Sequence, residues 1–134
     1  MPLVARETIE IPNSLDTSFD HGAFEPDTRR VFIAHTARDC LEVVDADTNR
    51  HLATLQGFPG AAGVVASKGR VLVTNRGGAS LALVDARTLK TLRVLNTGPR
   101  PNGAAFVPSL QVGVVACIGD GTHAPQLQVF GLED

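Results

Sequence analysis

The chain has 134 residues, a net charge of −2, 43% hydrophobic residues and six aromatic residues, all of them Phe. This length fits one domain with enough apolar residues to bury a core. The near-neutral charge excludes the basic surface of a nucleic-acid-binding protein, and the few aromatic rings exclude a base-stacking platform. No stretch is long and apolar enough to span a membrane.

The chain opens with one short β-like run. Residues 5–11 alternate in polarity around Ile9 and Ile11, and Pro12 ends the run. No basic region followed by an apolar stretch precedes it, so no signal peptide is visible. We therefore expect a cytoplasmic protein, or a periplasmic or secreted one if a leader has been removed.

Three similar segments follow, each built of short β-rich runs separated by turn residues. The first spans residues 19–59, the second residues 60–101 and the third residues 102–134. The runs lie at 21–24, 30–35, 40–48 and 51–55 in the first segment, at 62–65, 70–75, 80–88 and 91–95 in the second, and at 102–106, 112–117 and 126–130 in the third. The third segment has no fourth run.

The spacing of matched residues gives a constant period. Gly22, Gly63 and Gly103 lie 41 and 40 residues apart, and Asp45 and Asp85 lie 40 apart. A period near 40 with four short β-runs is typical of a β-propeller blade. The two aspartates follow the third run, where an Asp side chain caps a tight turn, and we predict a structural role for them. The predicted fold is an all-β propeller with three four-stranded blades.

Several motifs resemble the YVTN-type β-propeller repeat. They are Val-Leu-Val-Thr-Asn at 71–75, Leu-Val-Asp at 83–85, Gly-Pro-Arg-Pro-Asn-Gly at 98–103 and the variant at 30–35. The resemblance covers nearly the whole chain and implies propeller blades, but it implies no single activity. Propellers of that family usually carry about seven blades in one chain, whereas this chain holds three.

The order of the runs suggests how a ring closes. With the strands of a blade named A to D from the axis outward, the chain reads D-ABCD-ABCD-ABC. Three blades are below the minimum of about four, and open blades expose apolar faces and strand edges. We expect a homodimer with a six-bladed ring, in which residues 5–11 of each chain complete the last blade of the partner. The alternative is a fragment of a longer propeller.

The two ends of such a ring differ in their residues. The D–A and B–C connections share one end, which we call the rim. The candidate ligand-binding residues there are His21, His35, Asn75, Arg76, Asn102, Asp120 and His123. The third B–C loop, residues 118–126, is longer than its counterparts, as functional loops often are. His51 is predicted at the opposite end, on an ordinary solvated surface.

The two cysteines, Cys40 and Cys117, lie in apolar surroundings without metal-ligand spacing. We predict two buried thiols, no metal site and no cofactor.

Three functions fit this sequence. The first is a non-enzymatic scaffold that binds a small molecule or a protein segment at the mouth of the channel. The second is a hydrolase or lactonase-like enzyme with a metal in the channel, which needs a carboxylate-rich funnel that the starts of the inner strands do not supply. The third is a structural or assembly module. Neither nucleic acid nor a membrane is an expected partner.

Overall fold

A computed structural model describes residues 1–132 and contains three antiparallel sheets. Blade 1 consists of β1 (Gly22–Glu25), β2 (Arg30–His35), β3 (Cys40–Asp45) and β4 (Arg50–Gln56). Blade 2 consists of β5 (Ala61–Ser67), β6 (Arg70–Asn75), β7 (Ser80–Asp85) and β8 (Thr91–Asn96). Blade 3 consists of β9 (Pro101–Val107), β10 (Val112–Cys117) and β11 (Gln126–Gly131). No helix in residues 1–132 is long and apolar enough to cross a membrane.

The sheets are arranged as propeller blades. Within each sheet the strands follow one another in chain order, and the first strands of successive blades contact each other, β1 against β5 and β5 against β9. The fold is therefore all-β, with two four-stranded sheets and one three-stranded sheet. The prediction of three successive β-sheets is confirmed, and the described part of blade 3 has no fourth strand.

Two apolar layers hold the blades together. Alternating side chains of each middle strand point to opposite sides of the sheet, so one strand supplies two interfaces. The layer between blades 1 and 2 contains Phe32, Ala34, Leu41 and Val43 from blade 1, and Val71, Val73, Ala82 and Val84 from blade 2. The layer between blades 2 and 3 is built around Leu72, Leu81, Val115 and Cys117. Each large buried side chain contributes about 1.5–3 kcal/mol to stability.

The two end blades each keep one face without a neighbouring blade. The outward face of blade 3 exposes Leu127 and Val129, by 73% and 65%. On the outward face of blade 1, Val31 and Ile33 line a groove with Ile9 of the N-terminal segment. Residues 5–11 form no strand within the single chain. Their predicted pairing is with a second chain, and it stays a prediction.

The predicted aspartate caps are present. Asp45 Oδ1 accepts hydrogen bonds from the backbone N–H of Asp47 at 2.8 Å and of Thr48 at 3.3 Å. Asp85 Oδ1 accepts the equivalent pair in blade 2, at 2.8 and 2.9 Å. These carboxylates fix the turns between the third and fourth strands, as the sequence indicated.

A buried carboxylate links blades 1 and 2 at the end opposite the rim. Glu25 is fully buried and accepts hydrogen bonds from the Asp27 and Thr28 backbone, from the Thr28 hydroxyl and from the Gly69 backbone of blade 2. Burial raises the pKa of Glu25, but the hydrogen bonds outweigh it, and the pKa lies below its ordinary value of 4.5. The ionised carboxylate therefore stabilises the folded chain.

We predict that Glu25→Ala lowers the free energy of unfolding by about 3 kcal/mol at pH 7, because it leaves buried N–H groups without acceptors. Since the pKa is lower in the folded state, the contribution of ionisation is complete above the unfolded value. It is lost as the pH falls through the folded pKa, so the gap to the parent chain narrows in acid. Urea unfolding from pH 7 to pH 3 measures it. Asp85→Ala, which removes a half-buried turn cap in blade 2, is the control and is expected to cost less. Equal losses, or a gap that does not change with pH, would contradict the assignment.

Candidate functional site

The rim forms as a cluster of loops. Backbone hydrogen bonds run from Arg76 N–H to Gly60 O at 3.2 Å and from Ile118 N–H to Arg100 O at 3.0 Å. Each bond joins a connection between two blades to a loop between the second and third strands of the following blade. The structure thus brings the D–A and B–C connections to one end, as the alternating strand directions require.

His21 and Arg76 both present exposed side chains at this end. The His21 side chain is 60% exposed, and its Nδ1 lies 3.0 Å from Asp20 Oδ1 and 3.3 Å from the Ala62 carbonyl oxygen. Arg76 begins the short 3-10 turn that follows β6 and is exposed to solvent. These two side chains supply an imidazole and a cation at the rim.

Two asparagines of the predicted set each have a buried amide oxygen with no hydrogen-bond partner in the described residues. Asn75 donates from Nδ2 to Ser80 Oγ at 3.1 Å, while its Oδ1 accepts nothing. Asn102 Oδ1 is likewise buried and unpartnered. Asn102 lies within β9, which begins at Pro101. An unpaired buried carbonyl costs about 1–3 kcal/mol. Asn75 ends β6, is 2% exposed and lies on the side of the strand that packs against blade 1, so its placement among the rim residues is corrected. Asn102 is the asparagine of the predicted set that remains a candidate for ligand binding.

Asp120 and His123 are hydrogen-bonded to each other. Asp120 Oδ1 accepts from the backbone N–H of Thr122 at 3.0 Å and of His123 at 2.7 Å, and the His123 ring nitrogen lies 3.1 Å away. Backbone and side-chain hydrogen bonds from His123 lower the pKa of Asp120. The long loop thus caps its own turn with these residues, and its carboxylate is already engaged.

His35 does not face the rim. As the last residue of β2 it pairs with Cys40 of β3, and its side chain is fully buried on the outward face of blade 1. Its Nδ1 lies 2.6 Å from Glu42 Oε2, its Nε2 lies 2.7 Å from Thr17 Oγ1, and its ring centroid lies 4.6 Å from that of Phe19. The placement of His35 among the rim residues is corrected, because strand alternation directs the side chain to the flank of the blade.

His51 also differs from expectation. A register irregularity between Val43 and Val44 turns His51 of β4 toward the same side as Glu42. Its Nε2 lies 2.8 Å from Glu42 Oε1, and only 18% of its side chain is exposed. The prediction of an ordinary solvated surface residue was therefore wrong.

The structure shows a polar group that sequence reasoning missed, the Glu42 cluster. It comprises His35, Cys40, Glu42, His51 and Thr54. Donor atoms of the first three lie within 4.8 Å of one another. A carboxylate between Leu41 and Val43, where blade 2 has Ala82, was the available signal in the sequence.

Protonation within the cluster follows from burial and hydrogen bonding. Burial raises the pKa of Glu42, but hydrogen bonds from Thr54, His35, His51 and Cys40 hold it below its usual value. Burial and the adjacent Glu42 charge raise the pKa of the Cys40 thiol to about 12. Cys40 and Cys117 are both free and buried, as predicted.

Comparison with known proteins identifies the fold. Neither family models nor curated proteins gave a match. Among solved structures, Kuenenia stuttgartiensis hydrazine synthase is similar, with a TM-score of 0.76 and 19% identity over 91% of this chain and 36% of that one. The chain has a β-propeller fold.

Two further solved structures support this fold. A luciferin-regenerating enzyme has a TM-score of 0.66 and 15% identity, over 85% of this chain and 45% of that one. The β-propeller domain of Myceliophteria thermophila Cps50 (Swd1) has a TM-score of 0.62 and 15% identity, over 85% of this chain and 41% of that one. The chain thus spans less than half the length of these propellers, and the identities show the fold alone.

Proposed function

We propose that the chain forms half of a six-bladed propeller of the YVTN type, and that this ring binds a small polar molecule or a protein segment at its rim without catalysing a reaction. The motifs at 71–75 and 98–103 support the family. The observation that carries the binding function is the unpartnered amide oxygen of Asn102, at the end of the blades where His21 and Arg76 present exposed side chains.

The two outward faces support closure by a second copy. Val114, Ala116, Leu127 and Val129 of blade 3 occupy the repeat positions of Phe32, Ala34, Leu41 and Val43, which pack against blade 2. On blade 1, the outward-facing Val31 and Ile33 occupy the repeat positions of Val71 and Val73. In blade 2 those two residues pack against blade 1. Blade 3 of one copy therefore matches blade 1 of another.

The free edge of blade 3 supports a role for the N-terminal segment. Strand β11 pairs only with β10 in the described chain, so its other edge keeps unpaired backbone groups. Residues 5–11 have the alternation of an outer strand, and they hold no strand partner in their own chain. In the proposed dimer they pair beside β11 of the partner.

The inner strands favour binding over hydrolysis. The only carboxylate in β1, β5 and β9 is Glu25. It lies at the end opposite the rim, and its oxygens already accept four hydrogen bonds. Since Ca²⁺ and Mg²⁺ sites need several oxygen ligands, these three strands do not supply the set of carboxylates that a metal-dependent hydrolase of this kind requires.

The chemistry of the rim indicates the kind of ligand. The unpartnered Asn102 oxygen is free to accept a hydrogen bond, and the exposed Arg76 guanidinium attracts an anion. A ligand with both an N–H donor and a carboxylate, such as an amino acid or the end of a peptide, satisfies both requirements. A twofold dimer presents each of these groups twice around the rim.

Deleting residues 1–12 is expected to weaken the dimer at least tenfold, because β11 then loses its predicted partner strand. Sedimentation equilibrium over a range of concentrations measures the dissociation constant. Deleting only residues 1–4 is the matched control and leaves the dimer unchanged. If the longer deletion dimerises as tightly as the parent chain, the strand exchange is wrong.

Rim variants test the binding function. A thermal-shift screen with amino acids and short peptides identifies a ligand, and calorimetry then compares variants. His21→Ala and Asn102→Ala are each expected to weaken binding at least tenfold, and Asn102→Ala keeps its stability because it removes an unpaired buried oxygen. Lys90→Ala, an exposed turn residue at the opposite end, is the control. An equal loss with Lys90→Ala, or no binding in the screen, would overturn the rim proposal.

A further inference from the structure

We propose that His35 Nδ1, Cys40 Sγ and a Glu42 carboxylate oxygen form a Zn²⁺ site on the outward face of blade 1, separate from the rim ligand site. Imidazole, thiolate and carboxylate are the three ligand types that Zn²⁺ takes in proteins. All three residues are buried, with exposures of 0%, 1% and 1%. The proposal does not depend on the proposed binding function.

The backbone sets the geometry of the three donors. His35 ends β2 and is paired with Cys40 at the start of β3, and Glu42 follows two residues later on the same side of the sheet. Their donor atoms lie within 4.8 Å of one another. Ligand atoms around a tetrahedral Zn²⁺ lie about 3.3–3.8 Å apart, which small side-chain rotations reach from this arrangement.

The hydrogen bonds of His35 require either a proton or a metal ion between its ring and Glu42. Thr17 Oγ1 donates its one proton to the Ser14 carbonyl oxygen at 2.6 Å, so it accepts from His35 Nε2 at 2.7 Å. With Nε2 protonated, a neutral ring turns the lone pair of Nδ1 toward Glu42 Oε2, only 2.6 Å away. Two electron pairs at that separation repel, so either a second ring proton or a metal ion lies between them.

The surroundings favour the metal ion. Thr17 Oγ1 accepts from His35 Nε2, in the place of the outer hydrogen-bond partner that orients a metal-bound histidine, and it leaves Nδ1 as the coordinating atom. His51 and Thr54 hold Glu42 Oε1 and thereby orient the carboxylate. Once Cys40 has released its proton, the thiolate and the carboxylate together balance the two charges of Zn²⁺ in a buried position.

An open groove of about 270 Å³ leads to the site. Its lining includes His35, Cys40, Glu42 and Thr54. The groove gives the ion a route of entry and leaves space for water as a fourth ligand. Three protein ligands and one open position are the arrangement found at accessible zinc sites.

Blade 2 provides a natural comparison without these donors. The repeat positions of His35, Cys40 and Glu42 are occupied there by Asn75, Ser80 and Ala82. In blade 2 the Asn75 amide donates to the Ser80 hydroxyl, and the strands keep the same pairing. A variant that carries the blade 2 residues in blade 1 therefore retains side chains that this fold already accommodates.

The test uses the full chain after treatment with a chelator and dialysis. Competition with a colorimetric chelator is expected to show one Zn²⁺ per chain, bound at least 100-fold more tightly than by the triple variant His35→Asn, Cys40→Ser, Glu42→Ala. Replacement with Co²⁺ is expected to give a thiolate charge-transfer absorption band. Cys40→Ser removes this band, and Cys117→Ser, which changes the other buried thiol, retains it.

Two results would overturn the proposal. If the parent chain binds Zn²⁺ no more tightly than the folded triple variant, a proton and not a metal joins His35 to Glu42. If Co²⁺ binds without the thiolate band, or the band survives Cys40→Ser, the ion lies elsewhere.

Thr17→Val tests the outer hydrogen bond of His35. Loss of this bond is expected to weaken Zn²⁺ binding about 10–100-fold while the chain stays folded.

Discussion

The packing of one blade face on the next is the interaction on which the rest of this structure depends. A four-stranded sheet has two apolar faces, and a blade buries both only when a neighbour lies on each side. Blade 2 meets this condition, and its middle strands are almost completely buried, with Val71 and Val73 both at 0% exposure. Blades 1 and 3 meet it on one side only. The proposal of a second copy follows from this asymmetry, because the two open faces carry the two halves of an interface that the chain already makes.

The outward face of blade 1 combines two kinds of surface. Near the turn end of the blade Val31 and Val44 are apolar, whereas near the rim the same face carries the Glu42 cluster. The polar part is satisfied within the blade and by Thr17 of the N-terminal segment, so it does not need another blade to supply hydrogen bonds. The N-terminal segment therefore has two connected roles, since residues 13–19 cover the cluster while residues 5–11 remain available to a partner.

The sequence predicted the fold well because the features that define the blade repeat are local in sequence. Three features could be identified without tertiary contacts: the 40-residue period, the turn aspartates and the apolar middle strands. The structure has the blade strands of all three segments where this pattern predicted them.

The site was predicted less well. The rim positions of His21 and Arg76 follow from strand direction alone, but the burial of His35 and Asn75 depends on which face of β2 or β6 the side chain takes. His51 depends on a register irregularity in β3 and β4, and the three donors of the Glu42 cluster meet across two strands. The spacing of residues along the chain does not reveal such contacts.

Closure of one ring by two chains would bury both open blade faces. Light scattering coupled to gel filtration, at micromolar concentration, measures whether this dimer forms. A closed ring of two chains gives a single species with twice the chain mass of 14.1 kDa. A monodisperse monomer at 14.1 kDa that stays folded would contradict it, because the open faces of blades 1 and 3 would then be stable in water without a partner.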